Sequence, residues 1–202
     1  MLDSKESNSR PGVSYLRGDE ETVKIVVTGG FGVGKTTLIG NISEIRPLRT
    51  EEVMTEASVG TDDLKGLPDK RETTVAMDFG RRRLSESLVL YLFGAPGQDR
   101  FLELLPDLAR GALGALVLVD TRRPAISYRA VDELEKLGLH YAVAVNEFPD
   151  RPAHQPQQLR EAMALDPHTP LLTCNALDQD SCKETLIRLV THVLNLHPEP
   201  AR

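Results

Sequence analysis

Val23-Lys24-Ile25-Val26-Val27-Thr28-Gly29-Gly30-Phe31-Gly32-Val33-Gly34-Lys35-Thr36-Thr37 is the stretch on which the reading of this chain turns. Its first half is a short apolar run bounded by glycines, which predicts a buried strand. Its second half fits the pattern G-x-x-x-x-G-K-[ST], from Gly29 through Gly34 and Lys35 to Thr36. Glycines at these places let the backbone wrap closely around a phosphate with N–H groups pointing inward. Gly30, Phe31, Gly32, Val33 and Gly34 form that wrap. Lys35 supplies a charge for the β- and γ-phosphates, Thr36 offers a hydroxyl for Mg²⁺, and Thr37 follows in the same turn. Leu38, Ile39 and Ile42 predict a helix whose N-terminus faces the anion. A strand before the loop and a helix after it are what separate a nucleoside triphosphate site from a plain glycine turn.

Composition sets the frame. A chain of 202 residues, 40% hydrophobic and 27% charged, has the makeup of one soluble globular domain with a real core. A net charge of −6 argues against nucleic acid as a partner, which selects for a basic face. No apolar run approaches membrane-spanning length, and neither a signal peptide nor a lipidation motif is written at the ends. The expectation is a cytoplasmic protein with no direct membrane anchor. Cys174 and Cys182 do not make a disulfide framework and read as a reduced pair.

Residues 1–21 are polar and read as a flexible tail, as do residues 198–202, which leaves residues 22–197 as the domain. The first helix is expected to stop before Pro47. Residues 46–74 lack periodicity, and a connection of that length beside a phosphate loop is expected to read the γ-phosphate. Thr74 to Phe79 alternates as a strand. Gly80 to Glu86, with Arg81, Arg82 and Arg83, reads as a hairpin turn, either solvated or a patch for an acidic partner. Leu88 to Phe93, Ala112 to Val119, Tyr141 to Val145 and Pro170 to Thr173 follow as strands, with helical spacing between them and a final amphipathic helix from Cys182 to Leu194. The alternation predicts an α/β P-loop NTPase fold. Its sheet is doubly wound, mostly parallel and six-stranded, with one antiparallel edge strand and helices on both faces. Ligands of such sheets bind beyond the carboxyl ends of the strands, where the phosphate loop, Thr74, Gly94 to Gln98, Asn146 and Cys174 to Ala176 are all expected.

At these residues the chain resembles the bacterial Ras-like small GTPases of the MglA-like group. It is most similar to the conservon GTPases of actinomycetes, through Thr-Thr-Val-Ala-Met-Asp-Phe-Gly (73–80) and Leu-Phe-Gly-Ala-Pro-Gly-Gln (92–98). The resemblance implies a GTP/GDP-dependent signalling switch with Mg²⁺, a roadblock-type regulator and a sensor kinase as partners, and recruitment to the membrane through them. It implies that Thr74, or Thr73, ligates Mg²⁺ and holds the γ-phosphate, that Gly97 gives an N–H to the γ-phosphate, and that Gln98 orients the attacking water. Lys35, Thr74 and Gln98 are thus the catalytic set, and Thr36 with Thr74 the metal set. Asn146 and Phe148 fall at the base, with Asn146 on the guanine edge, and Asn175 and Ala176 lie in the loop whose N–H meets guanine O6.

Three departures stand out. Gly94 occupies the place of the acid that normally holds Mg²⁺ through water, so weaker Mg²⁺ dependence is expected. The base motif N-K-x-D reads Asn146-Glu147-Phe148-Pro149, with Asp150 one residue late, which weakens the case for guanine over adenine. Phe31 stands where finger-activated GTPases carry Gly, so slow hydrolysis is expected, with Arg71 a candidate internal arginine. A nucleotide-holding scaffold with negligible turnover and a P-loop kinase are the competing functions. The Pro-Gly-Gln turn and Asn146 argue against the kinase.

Overall fold

The computed structural model describes residues 18–54, 73–149 and 155–196. Seven strands make one sheet: β1 (Glu21–Thr28), β2 (Leu48–Met54), β3 (Thr73–Arg83), β4 (Leu88–Gly94), β5 (Gly114–Val119), β6 (Tyr141–Asn146) and β7 (Leu171–Cys174), in the order β2-β3-β4-β1-β5-β6-β7. β1 pairs in parallel with β4 and β5, and β6 pairs in parallel with β5 and β7. Five helices pack around it: α1 (Lys35–Ile42), α2 (Leu105–Ala109), α3 (Tyr128–Lys136), α4 (Pro156–Ala162) and α5 (Gln179–Leu196). β5 and β6 are buried along their whole length, because a central parallel strand is covered on both faces. The period-two alternation of β1 divides the core. Ile25 and Val27 pack with Leu38 and Ile39 of α1 and Leu186 and Leu189 of α5, whereas Val26 packs with Leu105, Val131, Leu134 and Leu159 from α2, α3 and α4.

The expected doubly wound α/β architecture is present, with one strand more than the six predicted. β2 forms within the segment read as irregular and pairs antiparallel with β3. Its sequence, Leu-Arg-Thr-Glu-Glu-Val-Met, has no apolar alternation to announce it. An edge strand has a single partner to satisfy, and charges such as Glu51 and Glu52 are ordinary there. The antiparallel strand β3 therefore lies one place inside the edge rather than at it.

The arginines also differ from expectation. β3 continues through Arg83, so Arg81, Arg82 and Arg83 belong to the strand and not to a hairpin tip. Arg81 is buried and pairs with Glu44 at 3.2 Å, Arg83 pairs with Glu20 at 2.9 Å, and Arg82 donates to the carbonyl of Ile42. The last contact places a cation at the C-terminal end of α1, where the helix dipole favours one. α1 ends at Ile42, short of Pro47 as expected. Ser43 fixes that end by accepting the Arg81 N–H and donating to the Ile45 carbonyl. Gly80 makes the approach possible, since a Cβ there would lie 2.7 Å from Cγ2 of Ile39.

The turn from β1 into α1 rests directly on β5. Gly29 has φ +126°, and a Cβ on it would lie 2.2 Å from the carbonyl oxygen of Leu118. Both the backbone conformation and the missing atom are needed there. Gly29→Ala is expected to cost more than about 3 kcal/mol of unfolding free energy, read by denaturant titration, and a loss under 1 kcal/mol would show that the loop can lift off β5 freely.

Candidate functional site

The phosphate loop is closed on itself in this structure. Lys35 donates to the carbonyls of Gly29 and Gly30, both at 2.8 Å, so its ammonium lies across the mouth of the loop. Burial pushes this ammonium down to about 8, against the opposing pull of the Asp78 carboxylate. Gly30 donates its N–H to Ser127 Oγ at 3.1 Å, and that hydroxyl donates onward to the Leu118 carbonyl at 3.1 Å. Gly32 and Gly34 have positive φ. Val33 is fully buried in the core, Thr37 is exposed, and Phe31 projects outward with 68% of its surface exposed. The loop thus has one anchored residue between two that face the ligand side, and an aromatic ring at its rim.

The Pro-Gly-Gln turn after β4 lies against this loop. A Cβ on Gly97 would fall 2.6 Å from Lys35 Nζ and 2.7 Å from the Gly30 carbonyl oxygen. Any side chain at 97 would displace Lys35 or the loop backbone at Gly30. Gln98 follows, exposed, and among the described residues its amide makes no hydrogen bond.

A carboxylate stands beside Gly94 on the neighbouring strand. Asp78 of β3 stands opposite Gly94 of β4 in the sheet register, and its Oδ2 accepts the Thr36 hydroxyl at 2.5 Å. A Cβ on Gly94 would meet Asp78 Cβ at 3.0 Å and Ile39 Cδ1 at 2.8 Å. The glycine and the aspartate are therefore two halves of one arrangement: the carboxylate needs the room that a side chain at 94 would fill. A carboxylate thus stands beside Thr36, where the reading of Gly94 expected none. Thr36 and Asp78 form an all-oxygen donor pair of the kind a hard divalent cation takes, so these residues fit Mg²⁺. Sequence reading quoted Asp78 within its most specific block without assigning it a role. A carboxylate inside an otherwise apolar strand was the available signal.

Thr74, expected with Thr36 at the metal, lies at the start of a continuous strand rather than in a loop. β3 is continuous from Thr73, and Thr74 pairs with Val53 of β2. It stands four residues from Asp78, about 13 Å along an extended strand. Arg71 and Asp150 lie outside the described residues.

At the other end, Asn146 closes β6 and is 4% exposed. Its Nδ2 donates to the Val33 carbonyl at 3.0 Å, and its Oδ1 accepts the Ala176 N–H at 3.0 Å. One side chain thereby ties the phosphate loop to the loop after β7. A Cβ on Gly34 would lie 2.5 Å from that Nδ2. The N–H of Asn175 donates to Ser181 Oγ, that of Leu177 to Asn175 Oδ1, and that of Asp178 to the Asn175 carbonyl. The guanine O6 contact implied for this loop therefore calls for one of these amides to exchange its partner. Cys182 donates to the carbonyls of Asn175 and Ala176, and both Cys174 and Cys182 are buried and free.

A further cluster joins the ends of β5 and β6. Asp120 is fully buried, and Arg122 grips it through Nε and Nη2, with Nη2 at 2.7 Å from Oδ2. The Arg122 guanidinium also holds the Asp120 carboxyl below the usual carboxylate range. The same guanidinium lies over the Phe148 ring, 4.0 Å from its centroid. Neither Asp120 nor Ser127 belongs to a motif, so sequence reading passed over both.

Residues 27–196 match the family described as conserved hypothetical ATP binding protein, and the chain belongs to that family. It is a nucleotide-binding P-loop protein. It is 29% identical over 131 residues to the uncharacterized protein MJ1339 of Methanocaldococcus jannaschii, covering 63% of this chain and 71% of that one. Its fold is similar to that of the G domain of the T. maritima FeoB iron transporter, with a TM-score of 0.58 at 15% identity, over 85% of this chain and 99% of that one.

The Asp78–Gly94 arrangement makes a reciprocal prediction. Gly94→Asp is expected to lower stability by about 1–3 kcal/mol, from crowding and from a second carboxylate beside the first. Combined with Asp78→Gly, most of that loss is recovered. A double-mutant cycle by thermal or denaturant unfolding measures the coupling, and simple additivity would contradict it.

Proposed function

We propose that this chain is a small Ras-like GTPase of the MglA-like, conservon kind: a signalling switch that binds GTP and GDP and hydrolyses GTP slowly. One observation carries the reading. Gly97 lies so close to Gly30 and Lys35 that a γ-phosphate entering the loop acts directly on the Pro-Gly-Gln turn. A turn displaced by the third phosphate and released by its loss is the two-state element of a switch. Residues 22–197 form the switch domain, and residues 46–74 are the second segment that responds. A roadblock-type regulator and a sensor kinase read that surface, and through them a cytoplasmic protein reaches the membrane. Among the described residues, no helix is long and apolar enough to cross one.

In this reading Lys35 leaves the Gly29 and Gly30 carbonyls for the β- and γ-phosphates. Gly97 gives its N–H to the γ-phosphate, and Gln98 orients the attacking water. Thr36 and Asp78 would hold Mg²⁺, with Thr74 joining only if its strand end leaves β2. The ion supplies charge neutralisation at the phosphates. The exposed ring of Phe31 obstructs an arginine offered by a second protein, which accounts for slow turnover and directs any activator to the ordering of Gln98.

A second reading, an adenine nucleotide held as a scaffold, is favoured by the family's description and by the engaged amides after β7. Identification of the nucleotide that copurifies with the protein decides between them: guanine supports the switch, adenine the second reading. In single-turnover assays Gln98→Ala is expected to slow GTP cleavage by at least about tenfold with nucleotide affinity unchanged. Equal rates would leave the glutamine without its role. Chelation is expected to weaken GDP binding in the natural protein, whereas Asp78→Asn binds GDP more weakly at the outset and responds less to chelator. Identical chelator responses would remove Asp78 from the ion site.

A further inference from the structure

The base motif lacks its lysine, and Glu147 brings the opposite charge to that position. A cation for the nucleotide must then come from elsewhere on the rim. β5 and β6 are adjacent, with Val119 opposite Val145, so the turn after β5 runs beside the turn that carries Glu147. That β5 turn reads Asp120-Thr121-Arg122-Arg123-Pro124.

The two arginines of this turn are not equivalent. Arg122 is spent on structure: its backbone N–H and its guanidinium both bond to the Asp120 carboxylate, and its face covers Phe148. Arg123 is hydrogen-bonded only through its backbone, and its charge helps to hold down the Asp120 carboxyl. Its N–H donates to the Asp120 carbonyl at 2.9 Å, and Pro124 starts the following 3-10 turn, Pro124–Ser127. Among the described residues the Arg123 guanidinium makes no hydrogen bond or ion pair. It is nevertheless aimed at the phosphate loop, since a Cβ built on Gly32 would lie 3.7 Å from its Nη2. The same turn reaches the loop a second way, through Ser127 and Gly30. The pairing of Arg122 with buried Asp120 thus fixes a backbone that presents a guanidinium without a hydrogen bond over the one loop glycine left open on its outer side.

We propose that Arg123 is a nucleotide-binding residue. The Asp120–Arg122–Phe148 cluster positions it to contact the sugar–diphosphate portion of a nucleoside di- or triphosphate, in place of the lysine that the β6 turn has lost. This rests on the reading of the phosphate loop as a nucleotide site. Arg122 is a positioning residue in this scheme, and Asp120 its anchor. Because the contact falls at the part of the ligand common to GDP and GTP, it adds affinity equally to both and does not sense the γ-phosphate. Charge rather than base edge is read here, so a lysine serves in part, as a point charge without the planar fork.

Titration of the full chain with fluorescent analogues of GDP and GTP tests this, using Arg123→Ala, Arg123→Lys and, as the site control, Lys35→Ala. The expected result is that Arg123→Ala weakens both nucleotides by about tenfold and by the same factor, as for loss of one charge-assisted contact. The deficit narrows as salt is raised, and Arg123→Lys recovers at least half of it on a logarithmic scale. The ligand-free melting temperature of Arg123→Ala stays that of the natural protein. Affinity within twofold of the natural protein, while Lys35→Ala loses binding, overturns the inference and leaves the site reading intact. A lowered ligand-free melting temperature that Arg123→Lys does not restore overturns it too, by marking a structural role. Binding that Lys35→Ala does not reduce removes the site reading itself, and the inference with it.

Discussion

The Asn146 side-chain amide is the point on which the site's construction depends. It lies at the end of a fully buried strand, donates to Val33 in the phosphate loop and accepts from Ala176 after β7, joining residues 113 and 30 positions away. Both partners are backbone groups that water cannot reach, so removing the amide leaves a buried donor and a buried acceptor unmet, each costing about 1–3 kcal/mol. No smaller side chain spans the gap, and Gly34 carries no Cβ because that amide occupies the space. The residue that a sequence reader assigns to the base is thus first a structural clasp between two loops. Asn146 has a second amide hydrogen, which leaves it able to serve both purposes.

Two further features follow one pattern, in which a side chain from one strand or turn stands beside a gap in its neighbour. Gly94 has no carboxylate, and Asp78 across the β3–β4 pair brings one to Thr36. The turn of β6 has no lysine, and the adjacent turn of β5 carries two arginines. Such exchange is possible because neighbouring strands lie about 4.8 Å apart, well within the reach of one side chain. A linear motif records which residue stands at one strand end. The chemistry needs only that some residue deliver the group to the same point in space.

The loop also holds its own cation in place. Lys35 rests on the loop's own carbonyls and is desolvated there, which is why its ammonium is pushed down to about 8. Gly97 lies against the same ammonium, where an added Cβ would fall 2.6 Å from it. Burial, loop closure and the adjacent turn are in this way linked through a single side chain.

Much of this was legible in the chain itself. The alternation of buried runs with helical spacing determined a doubly wound sheet, because period-two and near-four repeats report directly which faces are covered. The glycine spacing determined the phosphate loop, and at Gly29, Gly30 and Gly34 there is no room for a Cβ. β2 was not legible: an edge strand without an apolar face has no periodic signal, and only the exposed hydrogen-bonding edge of β3 calls it into being. Nor were the roles of Asp78, Ser127, Asp120 and the two arginines. Asp78 reaches Thr36, Ser127 reaches Gly30 and Arg122 reaches Phe148 across elements distant in sequence, and sequence order carries no record of which strands become neighbours. The sequence by itself determined the ligand's phosphate end and the layers that support it. Tertiary structure alone decided which side chains complete the site, because their groups converge only once the strands are laid side by side.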